Sequence, residues 1–249
     1  MQRATAIAVT IVVLIAAIAV YMLVGRDAPA PEPVAEPEPA APASEAEEVA
    51  PPEIVLPPLA ESDALVLGLA ADLGVSPGMI AALRVDLVRT FVKAVDAVAS
   101  GETPRQQLAF LAPEGDFPTV QRDGLFFADA SGFARYDTAA AEVAALDAES
   151  LVSGFETIEP LANEAFVEIG GAEIGFRRRL IQALDVLLAA PQIEGEPRLL
   201  DVAVDRFEYA EPQLEDLPPV QKQLLRMGPR NQALIQRKLQ QIRDLLAGA

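Results

Sequence analysis

The chain contains no cysteine, no histidine and no tryptophan. Without thiolate or imidazole ligands it lacks the usual zinc donors, and it has neither a thiol nucleophile nor the base of a Ser-His-Asp triad. Basic charge is also scarce: 19 Lys and Arg stand against 37 Asp and Glu, a formal net charge of −18. A surface of that sign repels phosphate backbones and anionic head groups, so no nucleic acid partner is expected. Missing cysteines suit a reducing compartment, or an oxidising one where no staple is needed, so location has to be read from the N-terminus. No Gly-rich phosphate loop, EF-hand loop or nucleophile elbow occurs. No catalytic, cofactor-binding or metal-binding residue is therefore assigned, and no cofactor is expected.

What is present begins with a greasy segment. Residues Ala4 to Val24 carry no charge and only Thr5 and Thr10 as clearly polar members. As a helix this run spans roughly 32 Å, enough to cross a hydrocarbon core of about 30 Å. A cleaved signal peptide is the main rival, but its apolar region is shorter, and the nearby Ala28-x-Ala30 would put Pro31 immediately after the cut. Residues 1–26 are read as a retained signal anchor, with the lipid bilayer as partner through residues 4–24. Arg3 precedes the span and Arg26 is the only basic residue after it before Arg84. That bias favours a cytoplasmic N-terminus and a C-terminal domain in the periplasm of a cell inner membrane.

Residues 27–58 hold ten prolines, eight alanines, eight acids and no base. So little apolar surface cannot support a core, and the prolines favour an extended form of about 3.1 Å per residue. This is a disordered Pro/Ala/Glu stalk with a reach of at most roughly 100 Å. A Pro-rich ligand for a partner is the other reading of this composition.

Residues 59–249 then form one domain of ordinary size carrying 29 acids and 17 bases. Ser62 is a candidate cap for a helix over Asp63 to Leu73. Ser76-Pro77 opens a second, in which Ile80, Leu83, Leu87, Phe91, Val95 and Val98 follow the helical period until Gly101. Prolines punctuate Glu102 to Asp137, where a two- or three-stranded antiparallel element is expected, with a turn at Asp129 to Gly132. Further helices are predicted over Thr138 to Ala145, from Asp147 with a kink or restart at Pro160, over Ile174 to Ala189, over Pro219 to Met227 and over Pro229 to Leu246. One short strand is expected at Leu199 to Phe207. The fold class is mainly α: a single N-terminal transmembrane helix, a disordered linker, and a compact α-rich domain with a small antiparallel β element.

Four features could carry chemistry. After Leu217 the chain has six basic residues and only Asp244 as an acid. Within this stretch Lys222, Arg226, Arg230 and Asn231 are the candidate interaction residues, able to hold an anion or a partner carboxylate near a helix N-terminus. The alternative is that they bind the domain's own acids and fix the helix corner. Arg177-Arg178-Arg179 could meet phosphate or a partner chain, but is read as a solvated, salt-bridged face, with Glu173 four residues before Arg177. Glu164 with Glu168, and Glu211 with Glu215, sit at helical-turn spacing and are the only acid-base pairs that stand out. Arg135-Tyr136-Asp137 could be a ligand contact, but the favoured reading is a buried polar hinge with Tyr136 in the core and an Arg–Asp pair.

Several of these segments carry a resemblance: Leu56-Pro57-Pro58-Leu59 with Ser62-Asp63, Arg135-Tyr136-Asp137, Pro160-Leu161 with Glu164-Ala165, and above all Gln221-Lys222-Gln223-Leu224-Leu225-Arg226-Met227-Gly228-Pro229 with Asn231. Together they resemble an uncharacterised proteobacterial family, a domain of unknown function borne by single-pass membrane proteins with Pro-rich stalks. Phe155 and Phe166 stand where the pattern has Tyr. The resemblance implies an inner-membrane protein with a periplasmic domain and brings no reaction or cofactor. The expected function is a non-enzymatic binding or scaffolding module of the cell envelope, with another protein or the cell wall as partner. The alternative is a carboxylate-dependent envelope hydrolase acting on glycan.

Overall fold

In the computed structural model the described residues are 56–75, 80, 83, 86–104, 118–203 and 206–248. The anchor, nearly all of the stalk and the Ser76-Pro77 helix start lie outside them. Among the described residues no helix is long and apolar enough to cross a membrane.

A 3-10 turn, Leu59–Glu61, leads into α1 (Asp63–Asp72). Ser62 does not cap α1; its hydroxyl donates back to the Leu59 carbonyl at 2.8 Å. Helix α2 covers Leu87–Ala99, and the predicted continuous helix from Ser76 is broken ahead of it, because Asp86 is left-handed with φ 64°. The break is stabilised from a distance: Asp63 accepts the Asp86 and Leu87 N–H groups at 2.7 and 2.8 Å, satisfying orphan donors at the helix start.

Strands β1 (Thr119–Arg122) and β2 (Leu125–Ala128) form a hairpin. Its turn is Asp123-Gly124, with φ of 51° and 78°, and not Asp129 to Gly132 as the composition suggested. Asp129 instead caps the short α3 (Ala130–Ala134) by accepting the Ser131 N–H at 2.8 Å. Helix α4 (Asp137–Ala145) follows, then α5 (Ala148–Glu168), which runs through Pro160 without restarting. Pro160 is exposed, so water can meet the carbonyl it strands, while Phe155, Ile158 and Leu161 are buried in the core.

Helix α6 (Phe176–Leu188) starts where Asn163 accepts the Phe176 N–H at 2.8 Å. The predicted single strand after it is a hairpin of β3 (Arg198–Ala203) and β4 (Arg206–Tyr209), which completes a four-stranded antiparallel sheet in the order β1-β2-β3-β4. Helices α7 (Pro212–Glu215), α8 (Pro219–Leu225) and α9 (Pro229–Gly248) close the domain. The main core gathers α1, α2, α4, α5, α6, α8 and α9. At its centre the Phe176 ring meets Phe91, Phe166 and Phe155 at centroid distances of 5.3, 5.6 and 6.1 Å, spacing suited to edge-on and tilted contacts. A second, smaller cluster of Ala128, Leu199, Tyr209 and Leu225 joins the sheet to α8.

Candidate functional site

The α8–α9 corner is where the most distinctive stretch of sequence folds. Pro219 and Pro229 each occupy a first helical position, where the missing N–H costs nothing. Gly228 between them has φ +78°, and a Cβ there would lie 2.5 Å from Cγ of Phe133, so both the backbone conformation and the neighbouring ring require glycine. Glutamines fix the corner to α6. Gln221 donates to the Val186 carbonyl at 2.7 Å, Gln232 to Pro191 at 2.7 Å, and Gln236 to Leu187 and Ala190 at 3.1 and 2.9 Å. Together they satisfy the carbonyls orphaned at the α6 C-terminus.

The four candidate interaction residues do not converge on one point. Lys222 donates to the Glu215 carboxylate at 2.6 Å and to its carbonyl at 2.8 Å. Arg230 is 78% exposed and lies 3.6 Å from Asp137. Asn231 is buried; its amide nitrogen donates to Asp137 at 2.9 Å and to the Phe133 and Met227 carbonyls, both at 3.1 Å. Asp137 therefore pairs with the Arg230–Asn231 side and not with Arg135, so the predicted Arg135–Asp137 pair is corrected. Tyr136 is in the core at 2% exposure.

Arg226 turns instead toward the seam between sheet and helices. It donates to Gln223 at 3.3 Å, and its charge bears on the buried Tyr209 phenol, whose hydroxyl donates to the Lys222 carbonyl at 3.5 Å. The buried Tyr136 phenol feels the charges of Arg135 and Arg226. Burial pushes both phenols up, Tyr209 to about 12 even though Arg226 pulls the other way. At neutral pH both remain protonated donors. Burial alone would raise the Glu215 carboxyl too, but the Lys222 ammonium and the Tyr209 N–H, at 2.8 Å, outweigh it and hold it below its usual value.

One carboxylate of each pair is occupied by a cation. Arg89 grips Glu168 through two bonds of 2.6 and 2.8 Å, and that bridge lowers the Glu168 carboxyl. Glu168 and Glu215 are thus both held ionised, the opposite of what a general acid needs. Two members of the arginine triplet are also partnered, though not by Glu173. Arg177 bonds Glu159 at 2.7 Å and lies over the Phe155 ring, while Arg179 bonds Asp96 at 2.7 Å. Among the described residues no group of three or more His, Cys, Asp or Glu side chains is placed to hold a metal ion.

Residues 87–243 match the family described as "Protein of unknown function (DUF3014)". The chain belongs to that family. The DUF3014 match opens at the first residue of α2 and ends within α9, so it takes in the sheet, the tyrosine seam and the α8–α9 corner. Comparison with curated proteins returns no match, and comparison with solved structures returns none either. Tyr209 was not singled out by sequence, and Gln223 stood out only as part of the Gln221 to Asn231 stretch. Tyr209 nevertheless has a compositional signal, since the chain has only three tyrosines and Tyr21 lies in the apolar span.

Proposed function

We propose that this DUF3014 protein is a single-pass cell-envelope protein, anchored in an inner membrane by residues 4–24 and facing the periplasm. On this reading residues 27–58 set a standoff distance, and the α-rich domain is a non-enzymatic binding or scaffolding module for a protein or the cell wall. The observation that carries it is the uncharged 21-residue run Ala4 to Val24 followed by the Pro/Ala/Glu stalk. The domain's contribution is the α8–α9 corner, where Arg226 and Arg230 put cations on an otherwise acidic domain, with Lys222 held by Glu215 and the buried Asn231 by Asp137. The glycan-hydrolase alternative loses support from the pairing of Glu168 with Arg89 and Glu215 with Lys222.

Topology is tested by reporters fused after Ala249: a reporter active only outside the cytoplasm should be on, and one active only inside should be off. The reverse pattern would sink the topology. The binding role is tested by crosslinked capture from membranes, comparing wild type with an Arg226→Ala, Arg230→Ala double variant. Loss of a captured partner without loss of helical signal is expected; an unchanged partner set would contradict the assignment of this corner.

A further inference from the structure

Three large apolar side chains from one short stretch face water. Val167, at 57%, is the most exposed large apolar side chain among the described residues, and Ile169 and Ile174 are exposed with it. The stretch is the turn between α5 and α6, and its backbone is held in place. The Phe166 carbonyl accepts the Ile169 and Gly171 N–H groups at 3.2 and 2.9 Å, and a Cβ on Gly171 would lie 2.3 Å from the Phe166 ring. Asn163 fixes the far side of the turn by accepting the Phe176 N–H. A fixed turn that presents branched aliphatic side chains to solvent marks a contact surface.

This tip lies where the chain enters the domain. Asp63, at the start of α1, accepts the N–H groups of Asp86 and Leu87, and Arg89 in the first turn of α2 bonds Asp86 at 2.9 Å and Glu168 at 2.6 Å. Glu168 stands between Val167 and Ile169, so the N-terminal segment joins the domain at the end that carries the tip. The ions around the tip are of both signs. Arg177 and Arg179 each hold an acid, but Arg178 between them is exposed and, among the described residues, has no ion pair. Glu164 and Glu173 are likewise exposed and unpaired among the described residues.

We propose that the α5–α6 tip is an isologous interface with a second copy of this chain, in which Val167, Ile169 and Ile174 of the two copies meet and each Arg178 faces Glu173 of the other. A two-fold axis sets a patch against itself, so a patch carrying its own unpaired cation and unpaired acid completes itself. An anionic bilayer is a poorer occupant, because Glu164, Glu168 and Glu173 repel it. The domain's 29 acids against 17 bases oppose self-association at long range, so the local pairs carry the specificity, and the proposed anchor in a shared membrane raises the effective concentration. The tip shares no residue with the α8–α9 corner, so self-association here and partner capture there stand or fall separately.

The absence of cysteine gives the test a clean background. Full-length chains carrying two different tags are co-expressed, and Ala172→Cys, at an exposed position of the tip, is joined in membranes with a short bismaleimide. Glu149→Cys, near the other end of α5 and about 27 Å from Val167 along the helix, is the control. Ala172→Cys should give a covalent pair bearing both tags, with a yield about threefold or more above the control. In that background Val167→Asp, Glu173→Arg and Arg178→Glu should each cut the yield about threefold or more, and Glu173→Arg combined with Arg178→Glu should restore it, because the swap rebuilds both pairs. If Val167→Asp loses its helical signal, the charge swap decides alone. Equal yields from the two cysteines, adducts to other proteins only, or a swap that fails to restore the yield overturn the proposal. With a polarity-sensitive dye on the Ala172→Cys thiol in phosphatidylcholine vesicles, emission should shift to the blue as chains per vesicle increase. A blue shift independent of chain density gives the tip to the bilayer and overturns the second-copy assignment.

Discussion

Gly228 offers the sharpest test of how the α8–α9 corner is built, because Gly124 is its natural control. Both glycines have φ +78°, so replacing either by alanine imposes the same left-handed backbone cost, about 1–2 kcal/mol. They differ in what the new methyl meets. At Gly124 nothing lies within 4 Å, whereas at Gly228 three atoms of Phe133 lie at 2.5, 2.8 and 2.9 Å. Forcing a methyl into that space adds an overpacking cost of about 1–3 kcal/mol. Gly124→Ala should therefore lose about 1–2 kcal/mol, and Gly228→Ala about 2–5 kcal/mol, a large share of a typical domain's total stability. The assay is urea unfolding of the full chain followed by far-ultraviolet circular dichroism. Phe133→Ala, which removes the two nearest atoms Cγ and Cδ2, should recover part of the excess in the Gly228→Ala background, since contacting residues couple. Equal losses at the two glycines, or no coupling to Phe133, would refute the close-approach argument.

Other outcomes follow from single contacts. Asp63→Ala should cost about 0.5–2 kcal/mol in urea unfolding, because it strands two N–H groups at the start of α2. Pro160→Ala should stabilise the protein, by up to about 3 kcal/mol, since an exposed mid-helix position gains an N–H. The Glu215 carboxyl is lower in the folded than in the unfolded state. Its contribution is therefore present above the unfolded value of about 4.3 and lost as pH falls through the folded one. Urea midpoints from pH 6 to pH 3 should drop more steeply for wild type than for Glu215→Gln. Tyr209 is shifted the other way, so its contribution is complete below the unfolded value of about 10 and lost as pH rises toward its folded value of about 12. Absorbance titration should show Tyr209 ionising later than free tyrosine, and Tyr209→Phe should remove that late step.

The helical body was legible because its apolar stripes follow one period within each segment: Leu87, Phe91, Val95 and Val98 all reach the core of α2, as do Leu180, Leu184 and Leu187 of α6. What was missed depends on long-range partners. The left-handed break at Asp86 is capped by Asp63, 23 positions upstream, and no local pattern announces that. Asp129-Ala130-Ser131-Gly132 reads equally as a turn or a helix cap, and the true hairpin signal was the adjacent Asp123-Gly124. The β3–β4 reversal was merged into one strand because Val204-Asp205 contains no glycine or asparagine. At the candidate site the motif from Gln221 to Asn231 identified the corner. Its contact with Tyr209 appears only once the sheet packs on α8, and Asp137's choice of Arg230 over Arg135 is set by the same tertiary arrangement.

The proposed function depends on the hydrophobic N-terminal run remaining part of the mature chain. Intact mass of the protein recovered from alkaline-carbonate-washed membranes tests this directly. The expected result is a membrane-retained chain that still includes residues 4–24; a soluble product beginning downstream of Val24 would contradict it.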